Sequence, residues 1–242
     1  MALTHRQSEI LKAIIEEYID SAQPIASVEL VARRRLPVSG ATVRNIMSDL
    51  VQMGYLQMLH VSSGRTPTDM AYRYYINDLM AETEISVLDE VALKQKVWNA
   101  RYELERLLRN AAQALSDASG CLGIALTTDG YYSFAGVGKM LDIPEFYEID
   151  VTKSVLRFID DYDLTLSILQ KAHSNPSNLS ILIGKEIGLA SMEPVSIVSG
   201  SAKIADKDCF IGVIGPARAE YGKLIPIIRY MTNLLEETGN NL

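Results

Sequence analysis

The side chains with the clearest chemical potential lie on one face of a helix that the sequence predicts from about Gly40 to Met53. In the major groove, arginine makes bidentate hydrogen bonds to guanine, and asparagine does the same to adenine. Arg44 and Asn45 supply these two groups. Hydroxyl groups suit phosphate or base contacts, and a methyl group can contact thymine. The residues predicted to contact DNA from this helix are therefore Ser39, Ala41, Thr42, Arg44, Asn45 and Ser48.

The same polar face would also suit a solvent-exposed helix without a ligand, so the segment that follows decides between the two interpretations. A strand is predicted over Tyr55–Val61, a tight turn at 62–64 and a short return strand over Arg65–Pro67. An arginine beside a glycine in such a hairpin suits a wing whose tip enters a minor groove. The wing residues predicted to contact DNA are His60, Ser62, Ser63, Gly64 and Arg65.

The elements that must position these side chains precede and follow them in the chain. Thr4 is expected to begin a first helix with a capping box, and Pro24 to end it. Ser27 is expected to cap a short second helix, which ends in Arg33 and Arg34. These two arginines would either contact phosphates or complement the helix dipole. A fourth helix starts at Thr68. Three helices, a hairpin and a further helix predict a winged helix-turn-helix over residues 1–80.

The chain beyond a boundary at 81–86 is predicted to form a second domain, residues 87–242, of the α+β class. A long helix is expected from Val87 to Ala118 and another from Val151 to Gln170. Strands are expected around them, with Asp129-Gly130 as a hairpin turn. The fold class is therefore α+β, an N-terminal winged helix-turn-helix followed by a mostly antiparallel sheet flanked by helices.

Charge and composition limit the classes of partner. The formal net charge is −7, yet residues 1–80 contain 8 basic and 8 acidic residues, so the whole excess lies in the second half. An acidic second domain weakens non-specific DNA binding without preventing a local basic face from contacting phosphates. Two cysteines, and no apolar run of the length needed to cross a membrane, predict a soluble, cytoplasmic protein.

Patterns typical of enzymes and cofactor sites are weak. The segment 136–140 is similar to a phosphate-binding loop, but Ser133 stands where the first glycine belongs and Met140 where Ser or Thr belongs. The three histidines, His5, His60 and His173, are not at metal-ligand spacing. We therefore expect no enzymatic activity, no cofactor and no metal.

Several segments of the chain resemble the HrcA family of heat-inducible transcription repressors. In the first half these are 3–7, 41–45, 53–56 and 62–69; in the second half they are 144–146, 212–218 and Tyr221. The resemblance implies a homodimer that binds an inverted-repeat operator, the CIRCE element, ahead of chaperone genes. It also implies a GAF-like second domain and assistance by a GroE-type chaperonin.

The chain departs from this family at 127–131, where longer members carry an inserted dimerisation domain. Here a bare hairpin turn is predicted in its place, so a dimer must use another surface, and the helix from Val87 is the candidate. Two alternatives remain for the second domain. It could sense a small ligand, which requires a roomy polar pocket, or it could serve only in oligomerisation and protein docking, which requires an exposed apolar patch.

Overall fold

A computed structural model describes residues 3–58, 64–98, 100, 103–174, 177–204 and 206–239 of the chain. The chain divides into two compact units, Met1–Ala81 and Glu82–Leu242.

The first unit contains four α-helices and a small hairpin. Its helices are α1 (His5–Ser21), α2 (Ser27–Arg34), α3 (Gly40–Gln52) and α4 (Asp69–Tyr74), and α4 continues as one π-helical turn over Tyr75–Leu79. The strands β1 (Leu56–Gln57) and β2 (Thr66–Pro67) pair in antiparallel register between α3 and α4. This order of elements confirms the predicted winged helix-turn-helix.

Three of the four α-helices in this unit begin directly after the cap residue that the sequence predicted. Thr4 and Gln7 form the predicted capping box of α1, Ser39 caps α3 and Thr68 caps α4. The prediction for α2 was wrong, because its N-cap is Ala26 and no side chain accepts a hydrogen bond there. Ser27 is instead the first residue of the helix and is buried. An N-cap residue has non-helical backbone angles, so a serine that already lies within the helix cannot be its cap.

The second unit is built on one five-stranded antiparallel sheet in the order β4-β3-β7-β6-β5. The strands are β3 (Leu122–Thr127), β4 (Tyr132–Ala135), β5 (Leu179–Ile183), β6 (Val195–Ile204) and β7 (Lys207–Pro216). Strands β6 and β7 are buried over most of their length because helices cover both faces of the sheet. This arrangement agrees with the predicted GAF-like α+β domain.

Six helices surround the sheet in the described part of this unit. They are α5 (Val87–Trp98), α6 (Leu104–Ser119), α7 (Val137–Met140), α8 (Ile149–Asp160), α9 (Tyr162–Ala172) and α10 (Tyr221–Gly239). One face packs on α6 and α10, and α6 comes so close to β3 that a Cβ at Gly123 would lie 2.1 Å from the Ala112 carbonyl oxygen. The other face forms an apolar core with α8 and α9 that includes Phe158 and Ile197.

Two of the predicted helices are each divided in the structure. The helix expected from Val87 to Ala118 is α5 and α6, which pack against each other. A single helix of that length would extend about 48 Å, and folding it back buries apolar residues of both parts. The helix expected from Val151 to Gln170 is divided at Asp161. The backbone of Asp161 is extended, which ends α8. Its carboxylate caps α9 by accepting a hydrogen bond from the Leu164 N–H at 2.9 Å.

Candidate nucleic-acid interface

The outward face of α3 carries every polar side chain that the sequence assigned to it. Val43, Met47 and Leu50 are buried on the inner face. The outer face exposes Ser39, Ala41, Thr42, Arg44, Asn45 and Ser48. No described residue accepts a hydrogen bond from the Arg44 guanidinium or from the Asn45 amide. Both groups therefore keep their hydrogen-bonding capacity for another molecule.

Local hydrogen bonds fix the N-terminal turn of α3, which is the end that a recognition helix presents to base edges. The Ser39 hydroxyl accepts from the Thr42 N–H at 3.1 Å and lies 2.9 Å from the Thr42 hydroxyl. One turn further on, the Ser48 hydroxyl donates to the Arg44 carbonyl at 3.1 Å. The hydroxyls of Ser39 and Thr42 have lone pairs or protons to spare, so they remain available for phosphate oxygens.

The base of the predicted wing is tied to the segment between α1 and α2. Arg65 and Ile25 exchange two backbone hydrogen bonds, at 2.9 and 3.2 Å, which form an isolated antiparallel bridge. Gly64 is required there, because a Cβ at this position would lie 2.5 Å from the Ile25 nitrogen. The Thr68 hydroxyl closes the other end of the hairpin by donating to the Gly54 carbonyl at 2.7 Å. The wing therefore leaves the domain from a fixed base.

Three of the predicted contact residues, His60, Ser62 and Ser63, lie outside the described residues. Gly64 and Arg65 are both half-buried at the base of the hairpin. The structure thus describes the base of the wing and the α3 face, the two parts that the sequence assigned to one interface.

Arg33 and Arg34 lie in a cluster of ion pairs at the end of α2. Arg33 donates to Glu17 Oε1 at 2.7 Å and also pairs with Glu29. Arg34 donates to Glu17 Oε2 at 2.8 Å and to Asp20 at 2.6 Å. The hydrogen bond from Arg33, followed by that from Arg34, lowers the pKa of the buried Glu17 carboxyl despite its desolvation. These pairs hold α2 against α1.

Glu17 and Ile25 are positioning residues that sequence analysis missed. The only sign of Glu17 in the sequence was that a carboxylate stands on the apolar side of α1, one turn after Ile14. Ile25 gave no signal beyond following Pro24, because a backbone bridge to a residue 40 positions away leaves no pattern in the side chains. Both residues act by placing α2 and the wing relative to α3.

The segment similar to a phosphate loop has a structural role in the second unit. Lys139 donates to the Asp117 carboxylate at 2.5 Å and to the Ser116 carbonyl at 3.2 Å, so its ammonium group joins α7 to α6. Within the described residues, no group of three or more His, Cys, Asp or Glu is placed to hold a metal ion. None of the helices in the described part of the chain combines the length and apolar character needed to span a bilayer.

Two family models match the chain. The model described as "Winged helix-turn-helix transcription repressor, HrcA DNA-binding" matches residues 2–79, and the model described as "HrcA protein C terminal domain" matches residues 57–225. Together they extend over residues 2–225, which is most of both units.

Curated relatives match over nearly the whole chain. The heat-inducible transcription repressor HrcA of Bacillus pumilus is 24% identical, with 99% of each chain covered, and that of Clostridium tetani is 24% identical, with 98% of this chain and 96% of the relative covered. The alignment with the B. pumilus repressor extends over 342 positions, 100 more than the 242 residues of this chain. The longer relative therefore has at least 100 positions without a counterpart here.

A solved structure supports the fold. A crystal structure titled only as that of a hypothetical protein, at 17% identity, superposes with a TM-score of 0.78 and covers 99% of both chains. Because family models match residues 2–79 and 57–225, and because the first unit is a winged helix-turn-helix, the chain belongs to the HrcA family of winged helix-turn-helix transcription repressors.

Proposed function

We propose that this chain represses heat-shock (chaperone) genes by binding an inverted-repeat operator as a homodimer. The exposed α3 face carries this proposal, because Arg44 and Asn45 are there without partners among the described residues. The curated relatives, which are named heat-inducible transcription repressors, support the choice of genes. A palindrome bound by a two-fold dimer places two recognition helices about 34 Å apart, or a multiple of that distance.

Each predicted contact residue has a role in this proposal. Arg44 contacts a guanine and Asn45 an adenine, while Ala41 lies against a thymine methyl. Hydroxyls of α3 and the wing contact phosphates or base edges, and Arg65 directs the wing toward the minor groove. The residues proposed for these contacts are Ser39, Thr42, Ser48, His60, Ser62, Ser63 and Gly64.

For Arg33 and Arg34, the ion pairs favour positioning over direct phosphate contact. Both guanidinium groups already donate to carboxylates of α1, and Arg33 also to Glu29 of its own helix. Their position in the last turn of α2 also complements the helix dipole. We therefore assign them to the support of the interface, with the α3 face and the wing making the DNA contacts.

The proposal is tested by binding to a labelled inverted-repeat duplex from upstream of the host's chaperonin genes, with a scrambled duplex as control, across a salt series. Arg44→Ala should weaken operator binding by about 1 to 3 kcal/mol and relax specificity at one base pair. Gln52→Ala, an exposed polar position at the far end of α3, is the matched control and should bind like the wild type. An equal loss of Arg44→Ala on both duplexes would assign Arg44 to phosphate. Unchanged binding would remove α3 from the interface.

The GroE-type chaperonin is the partner we propose for regulation in the cytoplasm, following the family resemblance. If the chaperonin assists the active state, adding it to a dilute repressor preparation should increase the fraction competent for operator binding. An unfolded substrate protein should reverse this gain by competing for the chaperonin. Operator titrations with and without chaperonin measure both effects, and identical titrations would eliminate this part of the proposal.

A ligand-sensing second unit is the other candidate function, and one feature favours it. A polar depression of about 450 Å³ lies at the open end of the sheet, with Gln170, His173, Ser201 and Asp208 around the Phe210 ring. The His173 Nε2 lies 3.0 Å from the Ser199 hydroxyl, and burial lowers the pKa of this imidazole. The space between the sheet and α8 is filled by apolar side chains, which counts against a deeper site.

Thermal melting in the presence of a metabolite library tests ligand sensing. A true ligand should raise the melting temperature of the wild type and change its operator affinity, and Ser201→Leu should abolish both effects by filling the depression. A library with no hit, or a hit that Ser201→Leu does not affect, would leave operator binding as the only function of the chain that we propose.

A further inference from the structure

The start of the second unit, just after the winged helix-turn-helix, is fastened to helix α10 by four hydrogen bonds. Arg229 donates to both carboxylate oxygens of Glu82, at 2.5 Å to Oε2 and at 3.0 Å to Oε1. The neighbouring Thr83 donates twice to the Gly222 carbonyl, from its N–H at 2.9 Å and from its hydroxyl at 3.1 Å. All four residues belong to the second unit, and we call this set of contacts the linker clamp.

A proline inside α10 explains why the Gly222 carbonyl accepts from the linker. In an α-helix the carbonyl of residue 222 accepts from the N–H of residue 226. That residue is Pro226, which lies inside α10 and has no N–H to donate. The Gly222 carbonyl therefore lacks its intrahelical donor and needs another one. Thr83 supplies two donors from 139 residues earlier in the chain.

The clamp shortens the connection between the two units. The hydrogen-bonded structure of the first unit extends to Met80, whose N–H donates to the Tyr75 carbonyl at 2.8 Å. Thr83 is three residues further on, a distance of at most about 10 Å along the chain. Without the clamp the connection would extend to the start of α5 at Val87, which is at most about 24 Å from Met80. The clamp thus more than halves the reach of the connection.

From these observations we infer that the linker clamp restricts the movement of the first unit and thereby makes the repressor selective for the distance between the two half-sites of its operator. A short tether reaches only a narrow range of distances, whereas a long one tolerates many at a lower effective concentration. The inference rests on the proposed function in one respect, since this distance matters only to a protein that binds an inverted repeat. The positioning residues, which are not among the proposed DNA contacts, are Glu82, Thr83, Pro226 and Arg229.

Time-resolved fluorescence anisotropy tests the restriction without DNA. A dye on Gln52→Cys reports on the first unit, because Gln52 is exposed there and both native cysteines are buried. Arg229→Glu places two carboxylates together at the clamp, and since the Arg229 side chain is 50% exposed the variant should fold. Its decay should gain a fast phase with the correlation time of a body the size of the first unit.

Two further variants separate the clamp from a general effect of charge. Arg157→Glu makes the same charge reversal at an exposed arginine of α8, and its decay should match that of the wild type. Combining Glu82→Arg with Arg229→Glu restores an ion pair and should remove the fast phase. A wild type that decays like Arg229→Glu would overturn the inference.

Pro226→Ala tests the origin of the clamp in α10. The variant gives residue 226 an N–H that competes with Thr83 for the Gly222 carbonyl. Amide hydrogen exchange at Thr83 should accelerate, although removing a proline from a helix interior should raise the urea midpoint of the second unit. A merely structural role of Pro226 would not produce these opposite effects. Unchanged exchange at Thr83 would remove Pro226 from the clamp.

Operators with altered spacing test the consequence for DNA binding. Inserting four base pairs between the half-sites moves one of them about 14 Å along the axis and rotates it by about 140°. Releasing both clamps of a dimer adds about 28 Å of reach. The wild type should therefore bind the lengthened operator at least tenfold more weakly than the natural one, and Arg229→Glu less than threefold more weakly. At the natural spacing Arg229→Glu should bind about fourfold more weakly than the wild type, because its tether is longer.

A single half-site and the Arg157→Glu control separate this inference from the proposed function. Arg229→Glu should keep the wild-type affinity for a single half-site, and Arg157→Glu should follow the wild type on every duplex. If anisotropy shows the restriction but the wild type does not prefer the inverted repeat to a scrambled duplex, the clamp stands and the proposed function fails. If the wild type prefers the inverted repeat and Arg229→Glu has the same dependence on spacing, the operator function stands and the inference fails.

Discussion

Helices α3 and α5 are built alike on their inner faces and differently on their outer faces. Val43 and Leu50 of α3 are buried, as are Leu93 and Val97 of α5. Outward, α3 presents arginine, asparagine and hydroxyl groups, whereas α5 presents leucine, valine and tryptophan. The inner face follows from the need to bury apolar surface. The outer face is free of that need, so its chemistry differs between the two helices and, on the proposed function, suits nucleic acid at α3.

Each unit also contains a cluster of ion pairs centred on one carboxylate, in different surroundings. In the first unit the buried Glu17 carboxylate accepts from two arginines and joins α1 to α2. In the second unit the Asp117 carboxylate of α6 pairs with Lys96 of α5 and Lys139 of α7. Asp117 and both lysines are more than one third exposed. The Glu17 cluster should therefore matter more for stability than the Asp117 cluster.

The largest effects are expected on the inner faces, where the two helices are alike. Leu50→Ala and Leu93→Ala each remove a fully or almost fully buried side chain, and each should destabilise its own unit by about 2 to 5 kcal/mol. Urea unfolding, followed by Trp98 fluorescence for the second unit and by hydrogen exchange of the α3 amides for the first, measures the two separately. A cost below 1 kcal/mol at either site would contradict the common design.

The wing base should give the next largest effect, and only in the first unit. Gly64→Ala places a methyl group 2.5 Å from the Ile25 nitrogen, so the wing must move, at a cost of about 2 kcal/mol. Operator and scrambled duplexes should both bind more weakly, because the wing moves as a whole. Gly138→Ala is the control, since its Cβ meets nothing within 4 Å. Wild-type DNA affinity for Gly64→Ala would show that the wing base does not position a DNA contact.

Sequence analysis predicted α3 better than α5 for a physical reason. In the first unit, cap residues and glycines mark the ends of helices, so Ser39 and Gly54 locate the two ends of α3. The polar and apolar positions of α3 also fall on separate faces. Helix α5 is apolar on two faces, and the sequence therefore predicted one long helix through residues 87–118 with no sign that it divides into α5 and α6. The ion pairs of Arg33 and Arg34 were equally hidden, because their carboxylate partner Glu17 lies 16 and 17 residues away.

The arginine cluster predicts a pH dependence specific to the first unit. Hydrogen bonds from Arg33 and Arg34 hold the pKa of Glu17 below its ordinary value. A lowered folded-state pKa stabilises the fold at a pH above the unfolded value, about 4.3, and this contribution is lost as the pH falls through the folded pKa. Glu17→Gln should therefore cost about 1.5 kcal/mol at pH 7 and much less at pH 3.

Hydrogen exchange of the α2 amides at these two pH values measures the effect of Glu17→Gln locally. Glu9→Gln is the control, because the pKa of Glu9 is also lowered by a hydrogen bond from an arginine, Arg6. The Glu9 side chain is exposed, however, and it does not join two helices. If Glu17→Gln lost as much protection at pH 3 as at pH 7, the carboxylate charge would not be the group that holds α2.

The smallest effect is expected at Asp117, which tests whether the second cluster is the weaker one. The hydrogen bond from Lys139, followed by that from Lys96, lowers the pKa of Asp117 to about 2. Its contribution is present above the unfolded value, about 3.9, and is lost as the pH falls toward 2. Solvent screens these partly exposed pairs, so Asp117→Asn should destabilise the second unit by less than about 1 kcal/mol, and salt should reduce the difference further. Urea unfolding monitored by Trp98 at low and high salt measures it. A loss larger than that of Glu17→Gln would reverse the ranking and mean that α5 depends on this ion pair for its packing on α6.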